Sequence, residues 1–202
     1  MSFSPKSIRL AVEPDTDQIR AIYEPIVEQT YISFEYSTPD ASELWERIQK
    51  TLDQWPWLVC EVENVIAGFA YASHHRSRTA YQWCAELSVY VDPRFQNRKI
   101  ARALYMTLIE ILKMQGYYNA YAGIALPNPV SVAFHEGLGF TKIGEYTSIG
   151  HKLGKWHNVG WWELNLQPYA EDPDKPKPLP RIIDQPKFSE ILKKGTDLIK
   201  DI

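Results

Sequence analysis

The sequence predicts an α+β fold, mixed α/β in three layers, whose central and mostly antiparallel sheet carries helices on both faces. Two observations carry this expectation. Hydrophobic periodicity changes along the chain in the order βααββ-β-α-β-α-ββ, which describes such a layered domain. The 202 residues, 45% hydrophobic and 23% charged, are enough for one domain with a complete core.

Ile8–Val12 reads as a short strand that ends at Pro14 and Asp15. Asp15 or Asp17 can cap a helix in which Ile19, Ile22, Ile26 and Val27 recur at helical spacing. Thr38-Pro39-Asp40 breaks the chain, and Asp40 with Glu43 reads as a capping-box variant that opens a second helix running to about Asp53. Trp57–Val62 and Val65–Ser73 form a hairpin around Glu63-Asn64. Trp83–Val91 is a further strand, stopped by Asp92-Pro93. From Lys99 to Gln115 the residues Ile100, Leu104, Leu108, Ile111 and Leu112 follow one helical face, with Gly116 placed for the C-cap. Asn119–Leu126 is a strand, Asn128-Pro129 starts a short helix through Glu136, and Gly137 and Gly139 end it. Phe140–Ile149 and Val159–Leu166 complete the sheet. The expected organisation is a domain over 1–170, a charged and Pro-rich linker over 171–186, and an amphipathic helix over 187–202 carried by Phe188, Ile191, Leu192, Leu198 and Ile199. Alone in water that helix is marginal, so it docks on its own domain or on a partner chain.

Charge and composition exclude several classes. A formal charge of −3 argues against nucleic-acid binding driven by counterion release. The apolar runs Ile66–Ala72 and Ala120–Leu126 are too short to span a bilayer, so no membrane is expected. The start MSFSPKSIRL has no apolar export core, and a cytoplasmic location follows as the expectation. Cys60 and Cys84 lie in no ligand spacing and read as buried, reduced thiols. His74 and His75 point apart on an extended chain, the five histidines show no HxH or HExxH spacing, and no metal is expected.

Chemistry concentrates in 85–103. Strand alternation puts Leu87, Val89 and Val91 on a core face and Glu86, Ser88 and Tyr90 on the other, either as a half-solvated face or as a line of site groups. The turn Phe95–Lys99 feeds a helix N-terminus. Its free N–H groups and the cations Arg98, Lys99 and Arg102 suit a pyrophosphate, although a plain structural cap explains the turn as well.

Strand, turn and helix in this order resemble motif A of the GNAT superfamily of N-acetyltransferases, whose turn Q/R-x-x-G-x-G/A holds the pyrophosphate of acetyl-CoA. Here it reads Gln96-Asn97-Arg98-Lys99-Ile100-Ala101, with Lys99 in the place of the central glycine. A lysine there either keeps a helical torsion and adds a charge, or crowds the site. Thr79-Ala80-Tyr81 ahead of Trp83 and Glu86, Ala122–Asn128, Ser131-Val132, His135-Glu136, Gly139-Phe140 and Gly154–Trp162 are similar to the phosphinothricin acetyltransferase branch, and the similarity runs from about Ile8 to Leu166.

The resemblance implies the acyl-CoA N-acyltransferase fold, acetyl-CoA as co-substrate, and direct transfer to the amine of a small amino-acid-like acceptor of the phosphinothricin or methionine sulfone and sulfoximine type. It implies Glu86 as general base and His135 as general acid; read from the residues alone, His135 is a helix-surface or core histidine. By the same resemblance Val89, Tyr90 and Val91 offer backbone groups to the pantetheine arm, Asn97, Arg98, Lys99, Ile100, Ala101 and Arg102 hold the pyrophosphate, and Asn128 contacts the cofactor. Phe34, with Glu35, and Arg76, Arg78, Thr79, Ala80 and Tyr81 match the acceptor segments, with the two arginines as a clamp or simply solvated. Trp156 and His157 are expected in the acceptor wall, and Trp161 and Trp162 in packing. The family also implies a homodimer. Acetylation of proteins or peptides, and a non-catalytic acyl-CoA-binding module, are the competing readings.

Overall fold

A computed structural model describes residues 5–200. Seven strands form one sheet in the order β1-β2-β3-β4-β5-β7-β6: β1 Lys6–Leu10, β2 Trp57–Val62, β3 Val65–His74, β4 Cys84–Val91, β5 Asn119–Leu126, β6 Thr141–Lys152 and β7 Lys155–Asn165. Every pairing is antiparallel except β4 with β5, which is parallel. The helices are α1 Thr16–Gln29, α2 Ala41–Leu52, α3 Ile100–Gln115, α4 Pro129–Glu136 and α5 Pro186–Asp197.

Each face of the sheet has its own core. On one side Ile19, Ile22 and Val27 of α1 and Leu44 and Ile48 of α2 pack on Val59 and Phe69. On the other, Leu104, Leu108, Ile111 and Leu112 of α3 pack on Leu58, Ala70 and Ala120, and α5 adds Phe188 and Ile191. Burying each such aliphatic side chain is worth roughly 1.5–3 kcal/mol, so both faces of the sheet are held by an apolar layer. No described helix is long and apolar enough to cross a membrane.

Local signals explain most boundaries. Asp40 caps α2, its Oδ1 accepting from Glu43 N–H at 2.9 Å. Glu63 and Asn64 take φ of 51° and 64°, the pair a two-residue hairpin needs. Gly116 ends α3 at φ 96°.

Four expectations are corrected. The first strand lies at Lys6–Leu10 and not at Ile8–Val12, because Val12 N–H is taken by the Asp15 carboxylate at 2.9 Å and cannot join the ladder. That carboxylate also binds Arg9, so Asp15 makes no side-chain cap on α1. The last hairpin is longer than its apolar pattern, since Leu153 and Gly154 (φ 51° and 74°) turn it three residues beyond Ile149. Cys60 is buried but Cys84 only half-buried. Of the two readings of the second face of β4, the solvated one falls, because Tyr90 packs between Tyr23 and Phe69, each ring 5.2 Å away.

The last segment is docked on its own chain. The helix expected over 187–202 spans Pro186–Asp197, and ahead of it Leu179 and Ile182 are buried.

Candidate active site

The site begins where β4 and β5 part. Their parallel pairing covers only Cys84↔Asn119, Ala85↔Ala120 and Glu86↔Tyr121. Ala72 N–H donates to Pro56 C=O on the β2 side, so the alternate pairs Tyr71↔Ser88 and Ser73↔Glu86 carry the β3–β4 hydrogen bonds. Leu87, Val89 and Val91 therefore turn their backbone groups toward β5, and beyond Glu86 no strand meets them. The Tyr105 hydroxyl of α3 lies 3.1 Å from Leu87 C=O. The opening is a cleft of about 340 Å³ lined by Leu87–Val91, Ala122–Ala125, Gln96, Ala101 and the start of α4.

At one end of the cleft lies the turn before α3. Lys99 has φ 64° and ψ 12°, left-handed backbone, so of the two readings of this lysine the one that kept a helical torsion falls; Asn97 also has φ 64°. Lys99 is the N-cap of α3 and makes no side-chain cap bond. The conformation a glycine would adopt freely is thus imposed on a lysine, at a cost of about 1–2 kcal/mol. Asn97, Lys99 and Arg102 are exposed, whereas Ile100, the first residue of α3, is buried. The Arg98 guanidinium lies 5.7 Å from the Phe95 ring centre, and Arg102 donates to Gly137 C=O at 3.3 Å. Asn128 lines the cleft but also caps α4, its Oδ1 accepting from Ser131 N–H at 3.1 Å. Val89, Tyr90, Val91 and Ala101 line the cleft as well.

Glu86 stands at the fork, on the sheet face that α1 and α2 cover. Burial pushes its carboxyl up to about 7, against the opposing charge of Arg76. His75 Nδ1 lies 3.4 Å from Glu86 Oε2. The imidazole is stacked on Tyr121 at 4.2 Å and meets the edge of Trp161 at 5.1 Å. Burial and Arg76 lower its basicity. A carboxyl that titrates near neutrality beside a neutral imidazole can take up a proton at physiological pH. His75 was missed in the sequence, which treated the His74-His75 pair only as absent metal ligands. Two neighbours on a strand face opposite ways, so one of the pair had to share the face of Glu86; His74 instead packs on Trp55 at 4.5 Å.

His135 lies in the opposite wall, 5% exposed. Its Nδ1 lies 2.8 Å from Ser131 C=O, so that nitrogen carries a proton, and its Nε2 meets the Tyr105 hydroxyl at 2.9 Å. Burial lowers its basicity, so the neutral ring prevails. It is a core histidine and a cleft-lining one at once.

A hollow of about 280 Å³ opens beside His75 and is walled by Arg76, Tyr81, Tyr121, Tyr146 and Trp161. Arg76 reaches it and donates to the Tyr146 hydroxyl at 2.8 Å. Arg78, Thr79 and Ala80 are exposed and do not line it, so the two arginines form no clamp around this hollow. Trp161 is a wall of the hollow rather than packing, while Trp162 is core. Phe34 belongs to the α1–α2 loop, which is held from below: Lys152, 3% exposed, donates to the carbonyls of Val27 and Ser33. Tyr31 stacks on the buried His157 at 4.3 Å, and Trp156 is 65% exposed, so neither His157 nor Trp156 walls this hollow. Lys152 and Tyr105 were not singled out in the sequence, where nothing distinguishes a buried lysine or tyrosine from an exposed one.

The chain as a whole is similar to known proteins. Residues 8–161 match the family model described as an acetyltransferase (GNAT) domain. Phosphinothricin N-acetyltransferase of Streptomyces viridochromogenes is 36% identical over 175 residues, covering 87% of this chain and 93% of that protein. The L-methionine sulfoximine/L-methionine sulfone acetyltransferase of Salmonella typhimurium is 31% identical, covering 81% of this chain and 96% of its own. Among solved structures, a phosphinothricin acetyltransferase from Sinorhizobium meliloti in complex with acetyl-CoA superposes with a TM-score of 0.79 at 28% identity, over 86% of this chain and 94% of that one.

Proposed function

This chain belongs to the GNAT acetyltransferase family, and from that premise we propose that it moves the acetyl group of acetyl-CoA onto the amine of a small amino-acid-like acceptor, with Glu86 as the base. Phosphinothricin, methionine sulfone and methionine sulfoximine define the acceptor class, by the names of its relatives. The observation that carries the reading is the position of Glu86, a carboxyl pushed up to about 7 where β4 and β5 part, 3.4 Å from the His75 that lines the hollow.

Acetyl-CoA supplies an activated thioester. The protein's part is to hold it, to orient the amine and to move two protons. The backbone of Val89 and Val91 offers the groups that a pantetheine arm would pair with, and the 97–102 turn presents N–H groups and cations to the diphosphate. Glu86, directly or through a water, takes the proton of the ammonium. A C–N bond then forms as the C–S bond breaks, and the departing sulfur takes a proton from solvent beside the cleft wall that His135 and Tyr105 line. No acyl-enzyme is needed, and the Cys60 thiol, pushed up to about 12 by burial, is inert. Arg76 and Tyr81 face the acceptor, with Phe34 in the loop above it. The enzyme works as a pair of identical chains.

The test is release of free CoA thiol from acetyl-CoA with a panel of amines. Release that depends on methionine sulfone or phosphinothricin is expected. Release with peptides alone, or with no amine at all, overturns the proposal.

A further inference from the structure

The chain continues beyond the span of the family match, and its continuation follows α3 from end to start. Gln115, at the C-terminal end of α3, donates through Nε2 to Lys177 C=O at 2.8 Å. Leu179 and Ile182 are buried behind it. Midway, Gly195 of α5 lies so close to Thr107 that no Cβ would fit. Thr196 Oγ1 accepts from Ile8 N–H at 2.9 Å, and Ile199 is buried. At the far end Lys200 N–H donates to Arg98 C=O at 3.2 Å.

That last bond falls on an informative peptide. The Arg98 carbonyl belongs to the unit joining Arg98 to Lys99, and turning that unit changes φ of Lys99. Lys99 stands at φ 64° with no side-chain cap of its own. In an L-residue this torsion is disfavoured by about 1–2 kcal/mol, so something outside the turn has to hold it. We propose that the C-terminal segment is a working part of the acetyl-CoA site: the Lys200 N–H fixes the Arg98–Lys99 peptide in the orientation the turn requires, doing for a lysine what a glycine would do unaided. Lys200 is thereby a positioning residue acting through its backbone. The inference rests on the reading that this turn holds the diphosphate.

The experiment compares the full-length chain with one ending after Lys200, one ending after Ile199, and full-length Lys200→Pro, which lacks the N–H. Acetyl-CoA affinity is read by calorimetry, and KM and kcat by thiol release. The chains lacking the donor should bind acetyl-CoA about three- to ten-fold more weakly, the effect of one hydrogen bond, with kcat and acceptor KM unchanged. The chain ending after Lys200 should match full length. In a Lys99→Gly background the loss on truncation should shrink, because the torsion no longer needs holding. Lys99→Glu separates the two claims. If it weakens acetyl-CoA while the chain ending after Ile199 binds normally, the tail has no such role. If neither change alters affinity, the turn is not the diphosphate site, and both claims fall.

Discussion

Glu86 shows how position decides a residue's chemistry. Its carboxyl is pushed from 4.5 up to about 7 by burial, so the protonated form is favoured in the folded state. As a base it works when ionised, and kcat/KM should therefore rise with pH through an apparent midpoint near 7. Glu86→Gln should fold and lose about 10²–10⁴ of the rate at neutral pH, which steady-state kinetics across pH 5–9 would measure. The same shift has a cost in stability. Because the folded pKa is raised, the contribution of this group is fully present below about 4.5 and lost as the pH rises through about 7. Glu86→Gln should accordingly melt higher than the parent at pH 8, with the difference vanishing toward pH 4, as calorimetric scans would read. The residue type and strand position of Glu86 were legible in the sequence. His75, its neighbour, was not, because strand alternation alone does not say which of two adjacent histidines meets an aromatic wall.

At the scale of elements, two loops on the acceptor side depend on each other. The β6–β7 hairpin supports the α1–α2 loop through Lys152, whose ammonium donates to Val27 and Ser33 carbonyls, and through Gly150, which leaves room for the Phe34 ring. A Cβ at Gly150 would overlap that ring. Gly150→Ala should displace Phe34 and raise acceptor KM about three- to ten-fold, as expected for losing roughly one good contact, while acetyl-CoA KM stays the same. A rise in both constants would mean that the hairpin supports the whole fold and not the acceptor side. The elements themselves were readable wherever a local rule operates. Asp40 and Asn128 cap their helices, Gly116 ends α3, and Glu63-Asn64 makes a tight hairpin. Boundaries set by tertiary partners were not. Arg9 and Val12 drew Asp15 away from capping α1, and β6 extends past its apolar pattern because β7 pairs with it as far as Lys152.

On the scale of the whole molecule, the sheet ends at β6, whose residues Thr141–Ile149 are all exposed. Ile143 (52%), Ile149 (56%) and the neighbouring Trp156 (65%) make that face apolar as well as unpaired. An open apolar edge of this kind is where a second chain would pair. Trp156→Glu combined with Ile149→Glu should shift the proposed pair to single chains in sedimentation velocity; an unaltered distribution would count against pairing through this edge. The opposite flank is closed by the chain itself, since the last segment covers α3 and ends on the turn beside the cleft.

By itself the sequence determined the order of strands and helices, the layered fold, and the placing of Glu86 to Arg102 on one strand, turn and helix, because each rests on short-range rules: side-chain periodicity, caps, and a strand–turn–helix motif matched at its first and last turn positions. Only the tertiary structure decided how those groups behave. The raised Glu86 carboxyl, the neutral His135 bonded to Tyr105, the left-handed Lys99 and the Lys200 contact behind it all arise from residues distant in sequence. Desolvation and long-range hydrogen bonds depend on what surrounds a group in space, and the linear chain does not specify those neighbours.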